Sequence, residues 1–227
     1  MGGGSPVTSG TGAGDAREAV RPVTRFAGYC AVVSGLLYAG RAMLERAIGE
    51  PPTAGGDLVA WRDAHQAGLA WADELMVLSA ALLLPVVPVL YRRLGGTRRP
   101  WVLFGCALLA TMVPVVLVLA VFQGRLMYPV FDIGLGEEQT VALVVSLYYG
   151  GAHVVALMLA AALVMLGTAM RSEPWGRPIA VLAIIAALGQ VVAGYPWIAG
   201  PNVVLAAQVL AAAWFVVVGV VLLQPDP

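Results

Sequence analysis

The chain has 227 residues, 60% hydrophobic and only 11% charged, with 13 basic and 13 acidic side chains in balance. Mean hydropathy is +0.85, whereas an average soluble domain carries about 25% charged residues, so a water-soluble globule is excluded. No basic stripe supports a nucleic-acid partner, and the two cysteines, Cys30 and Cys106, sit in apolar runs, which excludes a disulfide scaffold.

What remains is an all-α, polytopic transmembrane bundle. The first 24 residues, rich in Gly, Ser and Thr, are expected to form a flexible cytoplasmic tail, followed by one transmembrane domain over 25–224. A spanning helix needs about 20 mainly apolar residues. Six stretches meet that test: Phe26–Leu44, Leu69–Leu90, Trp101–Phe122, Val141–Met170, Ile179–Ala199 and Val203–Leu223. The fourth is longer than a bilayer requires, so it tilts or projects.

Small residues recur at four-residue spacing in the first stretch (Ala31, Gly35, Ala39) and in the fourth (Ala152, Ala156, Ala160), a pattern that lets helices approach closely. Pro85 and Pro88 in the second stretch and Pro114 in the third each remove an N–H and bend the helix. Between the first two stretches, Asp57–Gln66 either extends the second helix outward, with Asp57 as its N-cap, or lies along the interface. Either arrangement roofs the outer end of the bundle, and the Phe131–Gly134 loop does likewise.

Nine of the 13 arginines fall at Arg17, Arg21 and Arg25, in the Arg92–Arg99 segment and in the Arg171–Arg177 segment. The positive-inside rule therefore predicts both termini in the cytoplasm of a bacterial-type cell. The expected partners are the lipid bilayer and a lipophilic small molecule, with no nucleic acid; oligomeric state is not legible.

Motifs for ATP binding, zinc proteolysis, serine hydrolysis and thiol redox are missing, as are acid clusters that hold magnesium on a diphosphate. No cofactor and no metal are therefore expected. Polar residues gather toward the outer half. Glu74 lies 18 residues before Arg92, or about 27 Å along a helix, and His153 lies 18 residues before Arg171. Trp71, Glu74 and Leu78 share one helical face, and Tyr149 and His153 share another. If Glu74 faces inward among aromatic walls, desolvation keeps its carboxyl neutral and makes it a proton donor. The bland alternatives are an aromatic belt at the membrane surface, and Asp73 and Glu74 paired with Arg41 or Arg62. Gln190 and Gln208 suit interhelical hydrogen bonds as well as ligand contacts.

Arg25-Phe26-Ala27-Gly28-Tyr29, the long fourth helix with His153, Leu166-Gly167 and Trp175-Gly176-Arg177-Pro178 resemble a group of uncharacterised six-helix bacterial membrane proteins. In size and helix number the chain is also similar to small integral-membrane terpene cyclases. That resemblance implies isomerase or lyase chemistry of secondary metabolism, begun by protonating an isoprenoid.

On this reading Glu74 donates the proton, His153 or Asp73 accepts the final one, and Trp71, Tyr148, Tyr149 and Trp197 stabilise positive charge through their ring faces. Tyr195 and Gln208 complete the expected substrate-binding set. The competing expectations are a protein for transport, export or resistance to a hydrophobic compound, with Arg41 and Glu74 as a gating pair, and a non-catalytic membrane scaffold.

Overall fold

In the computed structural model, residues 12–52, 57–94, 99–129, 131 and 135–224 are described. They form eight helices: α1 Gly12–Ile48, α2 Asp57–Leu82, α3 Val86–Leu94, α4 Arg99–Met127, α5 Glu138–Met170, α6 Gly176–Ala193, α7 Pro196–Ala199 and α8 Pro201–Leu223. No strand occurs among the described residues. Six spans are long and apolar enough to cross a membrane, with α2 and α3 together making the second. This is the architecture of a multi-pass membrane protein. The end of the bundle carrying the C-terminus of α1 and the N-terminus of α5 is here called upper.

Three local differences from the sequence reading have simple causes. Residues 12–24, expected in a flexible tail, belong to α1, where Ala16, Arg17, Glu18 and Ala19 are good helix formers; residues 1–11 lie outside the described residues. The second span breaks at Leu83–Pro85 rather than merely bending. Leu83 and Leu84 N–H groups turn back to the carbonyls of Ala80 and Ala81, at 3.1 Å each, because Pro85 has no N–H to continue the ladder. The fifth span ends at Ala193, short of the expected Ala199. Pro196 drives the preceding Tyr195 out of the helical region, to φ −118° and ψ 64°.

Asp57–Gln66 is continuous with α2, which is the extended alternative. Pro114 lies within an unbroken α4. In the Phe131–Gly134 loop, residues 132–134 lie outside the described residues.

The tightest helix pair is α1 against α8. A β-carbon on Gly219 would sit 2.6 Å from the Gly28 carbonyl oxygen, and one on Gly35 would sit 2.7 Å from that of Ala212. Only glycine allows these backbones to touch, which is how association proceeds where lipid offers no hydrophobic drive. Ser34 and Ser79 add a reciprocal clasp between α1 and α2: each hydroxyl donates to the other's backbone carbonyl, at 2.8 and 3.0 Å.

The lower half is densely filled. Trp214, Leu163, Leu166, Met170, Val102 and Leu222 are almost completely enclosed. Phe104, Leu117, Val121 and Leu188 are exposed, as expected of surfaces that face lipid tails.

Candidate functional site

Above this filled half lies a cavity of about 1290 Å³, counting its open mouth. Its floor and walls are apolar, including Met76, Leu83, Met112, Leu119, Leu159 and Phe215. Ala152 and Ala156 also line it. The small residues of α5 therefore open space at this level, and only Ala160 of the three is fully buried.

Polar groups converge on the upper part. Arg41 and Glu45 stand one turn apart on α1. The Arg41 guanidinium donates to Glu45 Oε1 from Nη2 at 2.8 Å and from Nε at 3.0 Å. Arg41 Nη2 also donates to the Tyr148 hydroxyl at 2.8 Å, and that hydroxyl donates to Glu45 Oε1 at 3.1 Å. The three groups form a closed ring of charge-assisted hydrogen bonds that ties α1 to α5. The Arg41 side chain is only 12% exposed and that of Glu45 28%, so each charge depends on the other to remain inside the protein.

His153 lines the same cavity. Its Nδ1 lies 2.7 Å from the Gly194 carbonyl oxygen. A carbonyl only accepts, so Nδ1 carries the hydrogen and Nε2 is the nitrogen left for another partner. The Tyr195 ring meets His153 edge-on, with centroids 4.7 Å apart and planes at 64°. Gln190 donates to the Ala207 carbonyl at 3.1 Å, joining α6 to α8; this is the interhelical bond expected of it. Gln208 lines the cavity.

The structure separates the other expected site residues. Glu74 is exposed on the outside of α2, not among aromatic walls. Trp71, Glu74 and Leu78 do share a face, but that face points outward, with Trp71 66% and Leu78 51% exposed. The buried stripe of α2 is Leu69, Asp73, Met76 and Ala80, continued by Leu83 just beyond the helix, and its apolar majority turns the helix so that Asp73 is inside and Glu74 outside.

Asp73 is 6% exposed, and its Oδ1 has no hydrogen-bond partner. It packs beside α4, where a β-carbon on Gly124 would sit 3.6 Å from Oδ2. It is not among the residues that line the cavity. Trp197 is 62% exposed and borders the site through ring contacts with Tyr195 and His153, at centroid distances of 5.8 and 6.3 Å. Tyr148 and Tyr149 line the cavity with edge-to-face rings.

The expected pairing of Arg41 or Arg62 with Asp73 or Glu74 is replaced in both cases. Arg41 is taken by Glu45, and Arg62 by Asp63 and the Leu135 carbonyl. Glu45 is the residue the sequence reading passed over. Its signal was the four-residue spacing from Arg41, which places opposite charges on one helix face. Among the described residues, no cluster of three or more His, Cys, Asp or Glu side chains is arranged to hold a metal ion.

Comparison with protein-family models, with curated proteins and with solved structures finds no match.

Proposed function

We propose that this chain is a membrane binding protein that holds a lipophilic small molecule bearing one polar end, with both termini on the cytoplasmic side. The observation that carries this reading is the large apolar cavity whose polar lining, the Arg41–Glu45–Tyr148 ring and His153, gathers toward its upper end. An apolar body fits among Met76, Met112, Leu159 and Phe215, and the polar end meets the hydrogen-bonding groups above. The filled lower half argues against a standing channel and for a molecule that enters and leaves by the same mouth. Such holding suits sequestration of, or resistance to, a hydrophobic compound.

The acid-triggered cyclase reading finds less support. Protonating an alkene takes a neutral carboxyl aimed at the substrate, but Glu74 is outside the cavity and Glu45 is matched to a guanidinium. One observation keeps an enzymatic second reading: His153, with Nδ1 fixed by Gly194, presents Nε2 as a proton acceptor for isomerisation of an isoprenoid.

Photolabelling separates the two. A diazirine-bearing farnesol added to membranes containing the protein is expected to attach to Met112, Val116 and Leu159, and to be recovered chemically unchanged where it does not react. Adducts confined to lipid-facing residues such as Phe104 and Val121 would overturn the binding site. Isomers of unchanged mass, lost in His153→Gln while labelling persists, would replace holding by catalysis.

A further inference from the structure

A second, smaller cavity of about 420 Å³, counting its open mouth, lies between α1, α2, α4 and α5. It shares Glu45, Gly49, Tyr148 and Tyr149 with the large cavity, so those residues stand as the wall between the two. The remaining lining is largely apolar, including Ile48, Leu69, Leu126 and Val145. Two polar side chains interrupt it, Trp61 and Gln123, and each is left with unmet hydrogen-bonding capacity: Trp61 Nε1 and Gln123 Oε1 are buried with no partner.

The orientation of the Gln123 amide follows from its own bond. Nε2 donates to the Leu69 carbonyl at 3.3 Å, and a carbonyl can only accept, so Oε1 is the atom on the other side. Gln123 is 3% exposed. Two such groups on the wall of one cavity, one a donor and one an acceptor, specify what completes them. Buried polar groups without partners are costly, and proteins rarely keep them without a ligand or ordered water.

We propose that this smaller cavity is a binding site for an uncharged hydroxyl group, which accepts from Trp61 Nε1–H and donates to Gln123 Oε1. A hydroxyl is the smallest group that does both. An anionic head is disfavoured because the Glu45 carboxylate forms part of the wall, while the Arg41 guanidinium is spent on Glu45 and Tyr148 and does not line this cavity. An ammonium group would satisfy Gln123 but leave the indole N–H unpaired, since it has no lone pair to accept with. The hydroxyl belongs either to water or to an alcohol, and these are distinguished by experiment. The site does not depend on what the large cavity holds.

The test uses the whole protein in liposomes with two probes. A diazirine-bearing octanol is expected to form adducts on Ile48, Leu126 or Val145, suppressed by excess octanol but not by octane or octanoate. Labelling should fall at least about five-fold in Trp61→Phe, which keeps an aromatic ring but removes the indole N–H together with the pyrrole ring that bears it, and in Gln123→Leu. Synchrotron radiolysis footprinting supplies the water arm. Modification of the same side chains without octanol adducts assigns the hydroxyl to bound water. Absence of both signals overturns the proposal, as does octanoate competing as well as octanol. Adducts at Met112 and Leu159 alone would leave the large cavity standing and remove this one.

Discussion

The Arg41–Glu45–Tyr148 ring decides how the upper cavity behaves, because none of its members is stable there alone. Removing the carboxylate leaves a guanidinium enclosed without a counter-charge, so Glu45→Leu is expected to cost about 1.5–3 kcal/mol, the range for hydrogen bonds to charged groups. Replacing both charges together, as Arg41→Met with Glu45→Leu, should cost less than Glu45→Leu alone, since no orphaned charge remains. Thermal unfolding of the purified single and double variants in detergent measures the difference. A double variant less stable than Glu45→Leu would mean that the pair is not mutually dependent. Tyr148→Phe should fall between wild type and Glu45→Leu, because it removes one bond to each charge but leaves the ion pair.

Asp73 and Glu74 show the limit of reading single residues. Their depth near the upper end follows from counting along α2, but which of two neighbours faces inward depends on a rotation of about 100°. The aromatic neighbour Trp71 pointed to Glu74, whereas the stripe Leu69, Met76, Ala80 and Leu83 carried the stronger signal and placed Asp73 inside. Glu45 escaped notice because a charged side chain near the end of a span looks like an interfacial group until its partner across the bundle, Tyr148, is seen.

At the level of elements, hydropathy alone located the spans, and proline explains where their boundaries differ. The six apolar runs correspond to six spans. The break at Pro85 and the early end of α6 before Pro196 are consequences of missing N–H groups. The small-residue pattern was legible in both helices but had two different uses. In α1, Gly35 of that pattern, together with Gly28 outside it, brings α8 into backbone contact; in α5, Ala152 and Ala156 make room for the cavity. Sequence spacing does not distinguish contact from vacancy, since both need small side chains.

The first use gives a direct prediction. Gly219→Leu forces α1 and α8 apart, because a β-carbon there would stand 2.6 Å from the Gly28 oxygen and 2.7 Å from a Val32 methyl carbon. The variant is expected to lose at least about 1–3 kcal/mol, as overpacking does in filled cores, read as a lowered unfolding temperature. Gly136→Ala, where no atom lies within 4 Å of the added carbon, is the neutral control. Equal losses in the two would refute the close-contact account.

For the whole molecule, the asymmetry between a packed lower half and an open upper half is the feature from which function follows. Arginine placement predicts an orientation with the cavity mouth away from the cytoplasm. Both native cysteines are buried and free, so introduced ones report alone. On intact cells a membrane-impermeant maleimide is expected to label Asp63→Cys at the upper end and to spare Arg177→Cys at the lower end. The reverse pattern would invert the topology.

The proposed function requires that the large cavity receive a lipophilic molecule. Native mass spectrometry of the detergent-solubilised protein, titrated with farnesol, tests this against Ala156→Trp, which fills the cavity from its α5 wall. Wild type is expected to take up one farnesol, and Ala156→Trp to bind it at least about ten-fold more weakly while keeping the unfolding temperature of a folded bundle. Equal uptake by the two proteins would contradict the account.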